Sequence, residues 1–247
     1  MKWRMVDFEY WSAAMNMGID EAISEAVAAE ASGPTIRFYG WRPSAVTIGC
    51  FQSLKQEVDY LECVRLGIDV VRRRTGGGAV FHDEEGEITY SLIAPEDMMP
   101  YDINKAYQLV CGHLVAALKS LGLEASFSPI NDVLVSGKKI SGSAQTRRSG
   151  VFLQHGTLLL DLHPDIMFRV LKVSDVKRSG RYSDPANRVT SLRNFGIASR
   201  SKVLKALQGA FMEGKEWEEG GWTAEELTRA RHLAEKRYSS RDWNFSR

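Results

Sequence analysis

The residues best suited to chemistry concentrate in Arg72-Arg73-Arg74-Thr75-Gly76-Gly77-Gly78-Ala79-Val80-Phe81-His82-Asp83. Three permanent cations, a hydroxyl and three consecutive glycines follow directly on Gly67-Ile68-Asp69-Val70-Val71. Glycines let successive backbone N–H groups turn toward one point, through φ/ψ values that other residues avoid. Such a nest holds anions, and arginine forks add fixed charge for a carboxylate or phosphate. The segment reads as a cradle for something small and negative. The competing reading is a glycine-rich hairpin with solvated arginines, because triple glycines also occur in plain turns.

Further clusters carry polar groups at suggestive spacings. Asn131-Asp132, after Ser128-Pro129-Ile130, offers oxygens to a hydrated divalent cation or forms an Asx turn. Lys138-Lys139-Ile140-Ser141-Gly142-Ser143-Ala144 reads as a strand; with Ile140 inward, Lys139 faces the other way among small residues. A lysine so placed is a compact point charge for a carboxylate or phosphate, and the alternative is a pair of solvated hairpin lysines. In Gln154-His155-Gly156-Thr157 a histidine heads an apolar strand, where the commoner role is structural. His82-Asp83 closes the glycine turn and falls far short of a zinc signature.

These groups need elements to position them. Residues 12–30 have helical spacing stopped by Gly33-Pro34, and 35–39 and 45–51 alternate as strands around Gly40-Trp41-Arg42-Pro43-Ser44. A short helix at 58–66 precedes a strand over 69–73, which feeds the glycine turn so that 79–82 returns antiparallel to it. Residues 87–93 form a strand, 103–121 a long helix closed by Gly122, and 125–127, 132–135, 138–144 and 153–161 short strands. Helices follow at 166–171 and 201–213. A last helix runs from Trp222 to about Tyr238, with Thr223 and Glu226 as a capping box. The Arg-, Ser- and Gly-rich stretch 178–183 is the best candidate for a mobile loop. Strand runs with helices before, between and after them predict an α+β fold, a mixed and mainly antiparallel sheet flanked by helices.

Composition narrows the function classes. The 247 residues are 44% hydrophobic and 26% charged, with a net charge of +1. That balance argues against a protein whose main task is wrapping nucleic acid. The three cysteines, Cys50, Cys63 and Cys111, have no metal-ligand spacing and suit a reducing compartment. Neither a signal-peptide block nor a membrane-length apolar run is present in the sequence, so a cytoplasmic location is expected.

Taken together, the ordered series Arg-Arg-x-Thr-Gly-Gly-Gly-Ala-Val-Phe-His-Asp, Asn-Asp, Lys-Ile-Ser-Gly-Ser-Ala and His-Gly-Thr-Leu-Leu resembles the lipoate–protein ligases. These share a fold group with biotin–protein ligases and octanoyltransferases. The likeness runs to Tyr238-Ser239-Ser240-Arg241-Asp242-Trp243-Asn244, which is similar to the end of the family's catalytic domain. The resemblance implies that Arg73, Thr75, Gly76, Gly77, Gly78 and Ala79 line an acyl-adenylate, with His82 beside it. It implies Lys139 as the catalytic lysine on the carboxyl and phosphoryl oxygens, and His155 as support for the acyl pocket. Asn131 and Asp132 would serve the nucleotide side, with Asp132 holding Mg2+, and the loop at 178–184 would close over the adenosine.

The activity so implied is ATP-dependent attachment of lipoate or octanoate to a lysine of a lipoyl-domain or glycine-cleavage-type carrier protein. ATP and Mg2+ would be the cofactors. The rival is an ATP-independent transferase moving octanoyl or lipoyl groups between carriers. One such branch uses a cysteine nucleophile, and Ser128-Pro129-Ile130-Asn131 before Lys139 contains none. On that ground ligation is the favoured expectation. A biotin-type ligase and a non-catalytic binding protein rank lower. Residues 1–247 are expected to form a single catalytic domain, with 201–247 a helical segment and the small accessory domain of longer relatives missing. A separate accessory polypeptide is an expected partner; nucleic acid and membrane are not, and a monomer is favoured.

Overall fold

A computed structural model describes residues 1–172 and 188–247. The stretches 178–183 and 178–184, expected to be mobile and to close over a nucleotide, lie outside those residues. In chain order the described elements begin with β1 (Trp3–Trp11), α1 (Ala13–Ala28), β2 (Thr35–Trp41), β3 (Ala45–Ile48), α2 (Leu54–Glu57), α3 (Tyr60–Leu66), β4 (Asp69–Arg72) and β5 (Val80–His82). They continue with β6 (Glu87–Pro95), α4 (Ile103–Ser120), β7 (Ala125–Ser128), β8 (Asp132–Val135), β9 (Lys138–Arg148), β10 (Val151–Leu159) and α5 (Pro164–Val170). The last are α6 (Arg200–Met212), β11 (Trp217–Glu219), α7 (Ala224–Leu233) running into a π-turn at Ala234–Tyr238, and α8 (Arg241–Asn244).

The strands form an eight-stranded sheet ordered β11-β1-β2-β6-β10-β9-β8-β7 and a three-stranded sheet ordered β4-β3-β5. In the large sheet β1 is parallel to β2 and β11, and every other pairing is antiparallel. The expected mixed, mainly antiparallel α+β architecture is thus present. Two strands at one end of the sheet, β11 at the edge and β1 beside it, are absent from the sequence expectation because neither shows clean alternation.

Strand periodicity divides the molecule. On β2, β6 and β10, Ile36, Phe38, Ile88, Tyr90, Leu92, Phe152 and Leu158 point to one face and pack under α4 and α6. Tyr39, Trp41, Ile93, Val151 and Leu153 point to the other, under α1 and α7. That second face also carries Arg37, Glu87, Thr89, Ser91 and His155, all buried. Alternation therefore gathers the polar residues of three strands on the side covered by α1.

The small sheet departs from the expected hairpin. Residues 79–82 do not return against β4; β3 lies between them, parallel to β4 and antiparallel to β5. The reason is the α2–α3 crossover, which makes β3 and β4 a parallel pair and leaves the free edge of β3 for β5. The glycine turn consequently spans a strand instead of joining two neighbouring strands.

Helix α1 is started by Ser12, whose Oγ accepts the Met15 amide at 3.3 Å. It ends at Ala28, short of Gly33-Pro34. The Thr223–Glu226 capping box of α7 forms as expected. The two helices cross at Gly18, where a Cβ would lie 2.5 Å from the Ala230 carbonyl oxygen. Because backbone cannot yield as a side-chain tip does, Gly18→Ala is expected to destabilise the protein by about 1–3 kcal/mol. A lower urea midpoint with the slope unchanged would report it.

Candidate functional site

A cavity of about 200 Å³ lies between the large sheet, the small sheet and the glycine turn. Arg73, Gly77, Gly78, Ala79, His82, Asn131, Lys139 and His155 line it together. Of the expected site residues, Thr75 is fully buried behind the wall, and Gly76 and Asp132 stand next to it without lining it. Residues as far apart in the chain as Met17 and Thr157 thus meet at one place.

The glycine turn is shaped by Arg73. This side chain is 4% exposed and faces no carboxylate within ion-pair distance among the described residues. Its Nε donates to Thr75 Oγ1 at 3.1 Å and its Nη1 to Thr47 O at 3.3 Å and Thr47 Oγ1 at 3.1 Å. Its Nη2 donates to the carbonyls of Gly76 at 2.6 Å and Gly78 at 2.8 Å. Burial pulls the guanidinium down to about 10, which still leaves it charged at neutral pH. With carbonyls 76 and 78 turned onto the guanidinium, the amides of residues 76–79 are left without a protein acceptor among the described residues. Only Gly77 of the three glycines has positive φ, at +92°, and Gly78 has open space where a Cβ would sit. Conformation demands glycine at 77, whereas access to the cavity explains 78.

The neighbouring arginines are not part of the cradle. Arg72 donates to the carbonyls of Gly49, Gln52, Trp243 and Asn244, stapling the C-terminal segment to the turn at 49–52. Arg74 pairs with Glu21 at 3.0 Å. Sequence alone treats the three cations as equivalent; Arg72 is buried as deeply, and it is the hydrogen-bond partners and the place at the cavity that single out Arg73.

Lys139 reaches the cavity from β9. Ile140 is fully buried on the core face, as expected, and a register shift where β8 pairs with β9 accompanies the turn toward the cavity. The lysine stem lies over Gly142, where a Cβ would stand 2.6 Å from Nζ and 2.7 Å from Cε. Nζ is 2.6 Å from Asp132 Oδ1, and Asn131 Nδ2 donates to the Ser143 carbonyl. The Asp132 assignment to Mg2+ is therefore corrected. Its carboxylate already faces an ammonium, which would repel a second cation, and no group of three His, Cys, Asp or Glu side chains suited to a metal exists among the described residues. Those residues do not fit the ion.

Each histidine is the middle of a buried chain. His155 Nδ1 lies 3.0 Å from Asp20 Oδ2 and its Nε2 2.8 Å from Thr75 Oγ1. His82 Nδ1 lies 2.7 Å from Glu87 Oε1 and its Nε2 2.9 Å from Thr47 Oγ1. A carboxylate at Nδ1 requires an N–H there, so in the neutral ring Nε2 accepts from the threonine hydroxyl. Burial above all lowers the affinity of His155 for a proton, against the pull of Asp20. Asp20 is also held by Arg37 Nε at 2.9 Å and Ser91 Oγ at 2.7 Å. Burial alone would raise its pKa, but Arg37 and His155 outweigh that and hold it below the usual carboxylate range.

Asp20, Thr47 and Glu87 are site residues missing from the sequence reading. Their signals were present: Asp20 breaks the apolar run of α1, and Glu87, Thr89 and Ser91 alternate with Ile88, Tyr90 and Leu92. The cysteines stay outside: none of the three lines the cavity. Cys63 and Cys111 are fully buried, and burial raises their thiols to about 12 and about 11.

Unpaired amides, a guanidinium behind them and an ammonium thus meet at one cavity. The chain belongs to the lipoyl protein ligase A/B catalytic domain family, which matches residues 12–212. It is 34% identical to the octanoyltransferase LipM of Geobacillus kaustophilus, covering 99% of this chain and 98% of the relative. It is 38% identical to the octanoyltransferase LipM of Kyrpidia tusciae, covering 98% of each. In structure it is similar to a chain of the bipartite lipoate protein ligase and E2 lipoyl domain system of Thermoplasma acidophilum, with a TM-score of 0.86 and 32% identity over 99% of this chain and 96% of that one.

These relatives overturn the expectation of an ATP-dependent, acyl-adenylate-forming ligase. Octanoyltransferases match from end to end, which favours the rival transferase reading over ligation. The motif series failed to separate the two because both activities need the same acyl cradle. The absence of a cysteine before Lys139 favours ligation in the sequence alone, and the end-to-end relatives outweigh it.

Two outcomes test this geometry. Gly142→Ala should leave the fold intact but displace the flexible Lys139 tip, lowering turnover by about tenfold or more with unchanged circular dichroism. Asp20→Asn removes the partner of buried Arg37 and should cost about 3–5 kcal/mol at pH 7. Since the folded-state pKa of Asp20 is depressed, its stabilisation is present above the unfolded value near 3.9 and is lost as pH falls through the folded value. Denaturation from pH 7 to pH 3 should accordingly show a shallower acid loss in the variant than in the wild type.

Proposed function

We propose that this protein transfers an octanoyl or lipoyl group from a thioester on one carrier protein to a lysine amine on a lipoyl-domain-type acceptor, without ATP. The observation that carries this reading is the end-to-end similarity to octanoyltransferases. Transfer without ATP requires a donor that is already activated, and a thioester meets that need. The cavity supplies what the reaction lacks in water: charge stabilisation for the tetrahedral oxyanion, and positioning. Free amides at residues 77–79 and the Lys139 ammonium are the donors in this proposal, with Arg73 holding the amides in place. The acyl chain lies along the apolar wall of Met17, Tyr39, Trp41 and Val80. His155 and His82 sit beneath that chain, and Asn131 and Asp132 fix Lys139 and its strand. Residues 1–247 act as one catalytic unit.

The test mixes the protein with an octanoylated carrier and an acceptor lipoyl domain, and reads the acceptor by intact mass. Octanoylation without ATP is expected. Lys139→Ala should lower the rate by about 100–1,000-fold while the protein stays folded. Acceptor modification that appears only when free octanoate and ATP are added would defeat the proposal.

A further inference from the structure

Beneath the cavity floor lie two threonine–histidine–carboxylate chains, Thr47–His82–Glu87 and Thr75–His155–Asp20, joined through Arg73. Their internal distances match within a few tenths of an ångström, yet they are not equivalent. Thr47, itself 2% exposed, lines the cavity, as does its histidine. Thr75 is fully buried and does not. Only the first chain presents a hydroxyl to a bound acyl group.

That chain has the parts of an activated nucleophile. Thr47 Oγ1 is 2.9 Å from a histidine nitrogen that accepts its proton. The imidazole is fixed from the far side by Glu87 at 2.7 Å, and Trp41 stacks on the ring at 4.1 Å between centroids. Trp41 Nε1 and Thr89 Oγ1 both donate to Glu87 Oε1, so the orienting carboxylate is itself held. Arg73 Nη1, 3.1 Å from Thr47 Oγ1, favours the developing alkoxide, and the unpaired amides of residues 77–79 face the same cavity. A cavity lined by none of the three cysteines leaves this hydroxyl as its best-equipped nucleophile.

Building on the transferase reading, we propose that Thr47 carries the acyl group as an oxygen ester between donor and acceptor. In the first half-reaction the Thr47 hydroxyl proton passes to His82 Nε2 as Oγ1 attacks the thioester carbonyl. The C–S bond then breaks, and the leaving sulfur takes that proton from His82. In the second, the neutral acceptor amine attacks the ester, its proton passes to His82 Nε2, the C–O bond breaks, and the Thr47 oxygen recovers the proton. The sum is thioester plus amine giving amide plus thiol, with no oxidant and no nucleotide. Both halves run downhill in acyl-transfer potential. Glu87 is a positioning residue for His82, and Thr75–His155–Asp20 braces Arg73 from the other side.

The experiment is a rapid acid quench of the wild-type protein with excess octanoylated carrier and no acceptor, followed by intact mass and peptide mapping. One octanoyl group on the peptide containing Thr47 is expected. It should resist neutral hydroxylamine, as an oxygen ester does, where a cysteine thioester would be cleaved. Thr47→Val should form no adduct and transfer at least about 100-fold more slowly, while Thr47→Ser, which keeps the hydroxyl, retains both. Glu87→Gln should slow adduct formation without changing the donor KM. Wild-type transfer to acceptor with no adduct at Thr47, an adduct on Cys50, or a Thr47→Val variant as fast as wild type would overturn the assignment and leave the transferase reading standing. Failure of the wild type to move octanoyl to the acceptor at all would overturn both.

Discussion

The site is organised around one buried charge that has no ionic partner. A guanidinium in a low-dielectric interior is tolerated when every N–H finds an acceptor and the charge is spread over oriented dipoles. Arg73 meets that condition with neutral oxygens: two threonine hydroxyls and three backbone carbonyls. Satisfying the arginine fixes the glycine turn, because carbonyls 76 and 78 must face inward to serve it. Amides 76–79 are then left facing outward. The cation thus creates the anion cradle indirectly, by claiming the carbonyl ends of the same peptides. Two carboxylates, Asp20 and Glu87, are kept one residue further away, behind the histidines.

This arrangement explains why the two helical layers differ in character. The face under α4 and α6 is almost wholly apolar and supplies ordinary core stability. Beneath α1, apolar packing is interrupted by Asn16, Asp20, Arg37, Glu87, Thr89, Ser91 and His155, which are all buried. Such groups are costly unless each is hydrogen-bonded. Arg37 is held by Asp20 and Asn16, and Asp20 by Arg37, Ser91 and His155. Helix α1 is accordingly both a core element and the carrier of a carboxylate that orients the site. Its close crossing with α7 at Gly18 sets that carboxylate at the right height.

Transfer and ligation place similar demands on a protein. Each must hold an acyl carbonyl, stabilise negative charge on its oxygens and admit a lysine amine. An acyl-adenylate and a thioester differ chiefly in the group that leaves. A motif series that encodes the common cradle is silent on the leaving group, and the expectation of ligation came from giving undue weight to one missing cysteine. The end-to-end relatives point to transfer. The three-dimensional arrangement shows that hydroxyl groups, too, are set beside histidines at the cavity.

The α+β class, the long helices, the capping box on α7 and the glycine turn were all legible in the sequence, because each depends on local periodicity or on residue types within a few positions. So was the convergence of Lys139 and His155 with the glycine turn, through the ordered motifs. Other features were decided by tertiary structure. The α2–α3 crossover put β3 between β4 and β5, and packing placed Arg73 at the cavity while Arg72 and Arg74, identical in type and adjacent in sequence, found partners elsewhere. Asp132 was committed to Lys139 and not to a metal. The partnerships of Asp20 with His155 and of Thr47 with His82 span 135 and 35 positions. Local patterns report which way a side chain faces, whereas pairing across such separations is set by how sheets and helices pack, and no single segment contains that information.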